Sequence, residues 1–341
     1  MGSAVVVCSD VMESGTITYC ANANHNYVIA GNDGSNSRVI SNVGYNSGTN
    51  SSTWDNNITQ IVGQQGFKPG SCWDPVAQKV VVVFSNTSES NKGMIVAGTI
   101  ASNAVTWGTI QTYDTSRTNV SNDVVHDVSS GTNVIVWTEE DSPTYTLART
   151  ATLSGTTFTF GNNAVVSKNE VGSDAPSKRS GAVYDATAKK VLVVFAEDKG
   201  NTIARTVSLT VDGINITASK GYQFQAEDGA HDGWITLAHD PDSGQDVAVT
   251  FDGNHLDYYV EKLMVTNMSS DNFVGISQAS YTNGQTAKIS LTGSVNEAVS
   301  GLTPASKYYV IADGTLNTTA DGNNILAGVA LAADKLYIRG W

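Results

Sequence analysis

Charge is what this sequence has least of. Only 15% of its 341 residues are Asp, Glu, Lys or Arg, and the basic share is smaller still: 19 Lys and Arg stand against 32 Asp and Glu, a net charge of −13. Affinity for phosphate backbones depends on cationic side chains that neutralise them, so nucleic acid is excluded as a partner. No run of 18 apolar residues exists, which excludes a membrane-spanning helix and insertion by that route. The three cysteines, Cys8, Cys20 and Cys72, are an odd number without metal-ligand spacing, and they read as buried free thiols. No GxSxG, HExxH or Walker pattern occurs, and neither a cofactor nor a metal is expected. Asn, Ser, Thr and Gly fill the space that charge leaves. These are weak helix formers, so the composition favours strands and turns.

What is present is a repeat. CWDPVAQKVVVVF from Cys72, VHDVSSGTNVIVW from Val125, VYDATAKKVLVVF from Val183 and AHDPDSGQDVAVTF from Ala238 share one plan. A ring-bearing residue precedes Asp, a polar turn follows, and an apolar run closes on Phe84, Trp137, Phe195 or Phe251, marks that lie 53, 58 and 56 residues apart. A worn fifth copy, TITYCANANHNYVIA, ends at Ala30 with Cys20 in place of the Asp. Third strands follow at 93–100, 145–153, 201–209 and 257–265, and fourth strands at 53–62, 104–112, 156–166 and 214–224. Short antiparallel strands in groups of four, repeated at one period, are the signature of a β-propeller. A four-stranded sheet cannot stand alone, and radial packing buries a central strand on both faces, which is why VVVVF and VLVVF are continuous apolar runs.

The expected fold class is all-β: a five-bladed β-propeller of four-stranded antiparallel blades over 1–270, followed by a small C-terminal all-β domain over 271–341. Six blades are the alternative if 271–277 supplies more strand. AVVVCSD (4–10) matches the end of a fourth strand and is expected to complete the last blade, leaving no open edge. The tail strands AKISLTG, KYYVIA, ILAGVALA and KLYIRG alternate with Asn-Gly, Asp-Gly and Pro turns. A module this small often supplements its core by oligomerisation.

Five positions just before the turn Asp carry Tyr19, Trp73, His126, Tyr184 and His239. One reading is bulk at a strand end. The other is a ring of aromatic and polar groups round one mouth of the channel, suited to stacking on sugar faces, which makes these five the candidate ligand-binding residues. The turn Asp itself is expected to accept backbone N–H bonds within its hairpin. Asp240-Pro-Asp242-Ser-Gly244-Gln-Asp246 is rich in oxygen donors, but the EF-hand spacing fails at Gly244 and turn chemistry accounts for it. His231-Asp232 beside Glu227-Asp228 reads as a solvated acidic loop. Glycoside hydrolysis needs two carboxyls flanking the sugar bond, for which Asp123, Asp127, Asp185 and Asp240 are the candidates.

The series NFVGIS, SGLTP, YYV, DGTL with TT close behind, and AGVAL resembles a terminal module of tail-fibre and related virion proteins of tailed bacteriophages. The blade repeats resemble companion repeats of the same proteins. The resemblance implies a non-enzymatic virion component, a tail fibre or capsid-associated appendage. It would partner other virion structural proteins, form a homo-oligomer and display its propeller toward a host-surface glycan. A secreted bacterial lectin or adhesin and a propeller glycoside hydrolase are the alternatives, since fold alone does not decide chemistry.

Overall fold

The computed structural model describes residues 12–21, 26–33, 38–48, 51–54, 59–101, 104–115, 119–139, 145–168, 180–198, 202–219, 221–225, 235–240, 245–252, 257–263, 275–281, 285–310, 315–319 and 325–339. Every strand pairing among them is antiparallel, and the one helical feature is a 3-10 turn at Thr87–Glu89. The chain divides into Met1–Val265 and Thr266–Trp341.

The first unit is all-β, with five antiparallel blades in succession, the blade plan expected of a five-bladed β-propeller. Blade 1 holds Met12–Cys20, Asn26–Asp33 and Arg38–Gly48, with Ser51–Trp54 at its edge. The long strand Thr59–Asp74 serves two blades: it pairs with blade 1 at its start and becomes the first strand of blade 2 at its end. Lys79–Asn86 and Lys92–Ala101 complete the middle of blade 2. Blade 3 is built on Asn119–Asp127, Thr132–Glu139 and Tyr145–Ser154, and blade 4 on Ser180–Asp185, Lys190–Asp198 and Thr202–Asp212. Blade 5 shows three strands, Ile235–Asp240, Gln245–Asp252 and Asp257–Leu263. Residues 4–10, expected to complete it, lie outside the described residues, and no sixth blade is present among those described.

The second strand of each blade explains the repeated apolar run. Alternate side chains on a strand point to opposite faces. Val80, Val82 and Phe84 pack toward blade 1, while Val81 and Val83 pack toward blade 3. Ile135 and Trp137 join blade 2, and Val134 and Val136 join blade 4. Val191, Val193 and Phe195 then face blade 3, whereas Leu192 and Val194 meet Ala248 of blade 5. Each run is buried from both sides because each face has its own neighbour. Phe84, Trp137 and Phe195 all face the preceding blade, and each is at most 2% exposed. The fourth marker, Phe251, lies at a position whose side chain is outside the described residues.

One expectation needs correction. The fourth strands are not continuous: Ala104–Trp107 and Gln111–Asp114 in blade 2, Thr157–Phe160 and Ala164–Lys168 in blade 3, and Asn215–Ala218 and Tyr222–Gln225 in blade 4 are pairs of short strands on one third strand. The break is held at equivalent places by Gly108 N–H to Ala97 O, Gly161 N–H to Thr150 O and Ser219 N–H to Ser208 O. At Gly161 a Cβ would lie 2.2 Å from Ile214 O of the next blade, so a side chain there would push that backbone away.

The second unit has its own sheet of Val295–Asn296, Lys335–Ile338, Ile325–Ala332, Lys307–Val310 and Leu316–Asn317, plus the pair Gly275–Ser277 and Ile289–Leu291. Leu302, Tyr308, Val310, Ile325, Ala327, Ala330 and Leu336 form its core.

Candidate functional site

The turn Asp does what its hairpin requires. Asp74 Oδ1 accepts N–H bonds from Val76 and Ala77, and Asp185 Oδ1 accepts from Thr187 and Ala188. Asp127 takes the amide of Ser129 on one oxygen and the hydroxyl of Ser130 on the other. These carboxylates close turns, as local Asx geometry does elsewhere. Asp240 stands at the same position in blade 5 and is exposed.

The five ring-bearing residues all sit on first strands, opposite Tyr27, Val80, Asn133, Val191 and Asp246 across their hairpins. Three of them reach across a seam to the turn of the preceding blade. His126 Nδ1 lies 3.8 Å from Asp74 Oδ1 of the preceding blade. The Tyr184 hydroxyl meets Ser129 Oγ at 2.7 Å, and His239 Nδ1 lies 3.9 Å from Asp185 Oδ1. Trp73 packs against the cluster that contains Cys20. Tyr19, 48% exposed, stacks at a tilt on Tyr27 with 5.3 Å between ring centres. Reaching back to the previous blade's turn is the habit of His126, Tyr184 and His239.

Two seams carry a fuller version of it. Between blades 2 and 3, Asn133 Nδ2 donates to Asp74 Oδ2 at 2.9 Å and Asn133 Oδ1 accepts from His126 Nδ1 at 3.1 Å. Cys72 Sγ also points to Asn133 Oδ1 at 3.6 Å. Between blades 4 and 5 the same positions hold Asp185, His239 and Asp246, with His239 Nδ1 donating to Asp246 Oδ1 at 2.9 Å. An amide has become a carboxylate, so once ionised this side chain cannot donate to Asp185 as Asn133 Nδ2 does to Asp74. Burial, with the Asp185 charge adding to it, pushes Asp246 up to about 6, against the opposing pull of its bond to His239. The oxygens and Nδ1 of the three side chains all lie within 4.8 Å of one another. This trio was missed from sequence, where no metal ligands were expected. A signal existed: where the ring position is His, the residue opposite is polar (Asn133, Asp246), and where it is Trp73 or Tyr184 the residue opposite is Val80 or Val191.

Asp123 is a different kind of carboxylate. It belongs to the inner part of blade 3 and closes no turn. Oδ1 accepts from Val124 N–H and Oδ2 from Ala182 N–H of blade 4, both at 2.8 Å. The first strands are close here: a Cβ on Gly70 would lie 2.7 Å from Asp123 Cα. Polar, neutral pairs also bridge the blades, with Ser121 against Ser180, Thr18 against Ser71 at 2.5 Å, and Asn122 donating to Ser85 Oγ at 2.7 Å. Burial is the largest influence on Asp123 and pushes it up to about 6 even though its two amide donors pull the other way. Of the four carboxyls singled out from sequence, Asp127 and Asp185 are committed to turns, and Asp123 alone combines half-burial, a raised titration point and a place between first strands. Cys20 and Cys72 are free and buried, and burial pushes the Cys20 thiol up to about 12.

No protein-family model matches the chain, and no curated protein does. Among solved structures it is similar to an α-L-arabinofuranosidase from Lactobacillus brevis, at 10% identity over 74% of this chain and 90% of that one, TM-score 0.45. A thermostable family-43 glycoside hydrolase is similar at 8% identity over 77% and 94%, TM-score 0.42. An exo-β-1,3-galactanase from Phanerochaete chrysosporium is similar at 10% identity over 73% and 60%, TM-score 0.46. These are enzymes, not virion proteins, and the finding corrects the expectation of a non-enzymatic bacteriophage component. At such identities and scores the likeness assigns no activity, and any chemistry has to come from this chain's own residues.

Proposed function

We propose that this chain is a carbohydrate-active propeller that cleaves glycosidic bonds, with Asp123 as its proton donor. The observation that carries the reading is a half-buried carboxyl, set between first strands among neutral hydroxyl and amide groups, and pushed up to about 6. A group titrating there holds its proton in mildly acidic solution, as protonation of a departing glycosidic oxygen requires.

The reaction needs a second carboxylate across the bond. The sequence offers Glu170 and Asp174 ahead of blade 4, and Glu227, Asp228 and Asp232 ahead of blade 5. Asp123 gives its proton to the leaving oxygen and the C–O bond breaks. The second carboxylate either takes a proton from the incoming water or bonds transiently to the sugar. Arabinofuranosides and β-1,3-galactans are the first substrates to try, since the neighbours' names specify them. The wild-type chain is expected to release reducing sugar from at least one polysaccharide in a panel. Asp123→Asn should lower kcat at least 100-fold with the thermal transition retained. No release from any substrate, or an undiminished rate in the variant, overturns the proposal.

A further inference from the structure

The seam between blades 4 and 5 is built like the seam between blades 2 and 3, with one atom exchanged, and that exchange changes its chemistry. In the earlier seam the Asn133 amide satisfies both neighbours: it gives a proton to Asp74 and accepts one from His126. Both carboxylate and imidazole Nδ1 are thereby answered. In the later seam Asp246 takes the amide's place, and once ionised it brings two acceptors and no donor.

Asp246 is 0% exposed, and its Oδ2 is buried without a hydrogen-bond partner among the described residues. Asp185 beside it is 2% exposed. Two buried carboxylates therefore share one imidazole, and a buried charge without a compensating partner is costly. The first seam leaves a ring nitrogen, His126 Nε2, without a partner among the described residues, whereas this one leaves a carboxylate oxygen and lacks positive charge.

We propose that Asp185, His239 and Asp246 form a divalent transition-metal site that fastens blade 5 to blade 4. Two carboxylate oxygens and one imidazole nitrogen are a donor set that suits zinc and its neighbours, and solvent can fill a remaining position. Adjacent ligand atoms of a tetrahedral zinc centre stand about 3.3 Å apart, given bond lengths near 2.0–2.1 Å. Here His239 Nδ1 stands 2.9 Å from Asp246 Oδ1 and 3.9 Å from Asp185 Oδ1, values that bracket that spacing. Binding at Nδ1 leaves the ring proton on Nε2, at the expense of a long 3.4 Å contact from the Ala186 amide. The ligands come from two blades, so the ion would cross-link elements that also meet through Leu192, Val194, Ala248 and their neighbours. The site is independent of Asp123 and of any hydrolytic activity.

The test uses the full chain, stripped with chelator and titrated with Zn2+, Mn2+ or Ca2+ separately. One equivalent of Zn2+ is expected to bind with micromolar or tighter affinity and to raise the thermal transition, with Ca2+ at least tenfold weaker. Asp246→Asn copies the neutral seam, and it should fold without metal and lose Zn2+ binding at least 100-fold. If that variant does not fold, Co2+ loaded into the wild-type chain provides the second reading, with X-ray absorption expected to show one imidazole nitrogen and otherwise oxygen ligands. Absence of stoichiometric Zn2+ binding, equal binding by Asp246→Asn, or a cobalt shell without imidazole overturns the site.

Discussion

Replacing Asn133 by Asp turns the neutral seam into the charged one, and its cost follows from the contacts. The change removes the 2.9 Å bond from Nδ2 to Asp74 Oδ2 and the 3.3 Å bond from Nδ2 to Ala151 O. A hydrogen bond to a charged group contributes about 1.5–3 kcal/mol, and a neutral one about 1 kcal/mol. The new carboxylate would also face Asp74 in a place where Asn133 is 0% and Asp74 is 2% exposed. Breaking the pairing of a buried charge costs about 3–5 kcal/mol. These contributions overlap, and a loss of about 4 kcal/mol at pH 7 is expected, or a fall on the order of 10 °C in the thermal transition. Urea unfolding followed by tryptophan fluorescence measures it, with the variant and the wild-type chain compared at pH 7 and pH 5. The gap should narrow at pH 5, because a protonated carboxyl restores the missing donor. A loss under about 1 kcal/mol at pH 7, or a gap that widens in acid, would refute the account of the seam.

Trp137→Ala should cost about 3–5 kcal/mol in the same assay, because the indole is fully buried between blades 2 and 3 and its removal leaves a cavity. Asp123 sets a pH dependence of the opposite kind to an ordinary paired carboxylate. Its folded value of about 6 stands above the ordinary 3.8, so above pH 6 it is charged in both states and its burial weighs against the fold. As pH falls from 6 toward 4 the folded chain takes up the proton first, and this group's contribution to stability rises by roughly 1–2 kcal/mol after allowance for partial exposure. A carboxyl carbon resonance titrating near 6, absent from Asp123→Asn, checks the assignment. A midpoint below about 4.5 contradicts it.

The blade plan was legible because its causes are local or repeated. Runs such as Val80–Val83 announce burial on two faces, and Asp ahead of a polar turn announces the hairpin it closes. The break in the fourth strand of blade 3 was not legible, since it lies where Gly161 meets the Ile214 carbonyl of another blade. The ring-bearing residues were found, but their partners were not. His126 and Asp74 belong to successive repeats, and no spacing within one repeat connects them. Asp246 read as part of a turn and Asn133 carried no reading of its own, and only their register opposite His126 and His239 gives them a role. Asp123 was one candidate among four, and burial at its position singled it out. Enzyme class was misjudged because the resemblance rested on strand-forming phrases, which say little about the carboxyls between them.

The pH–rate profile of glycan cleavage tests the central claim most directly. With Asp123 as proton donor, kcat/KM for the wild-type chain should fall on the alkaline side with a midpoint near 6, and Asp123→Asn should lose both the rate and that limb. A rate that stays level from pH 5 to 8, or an alkaline limb that survives in Asp123→Asn, would contradict it.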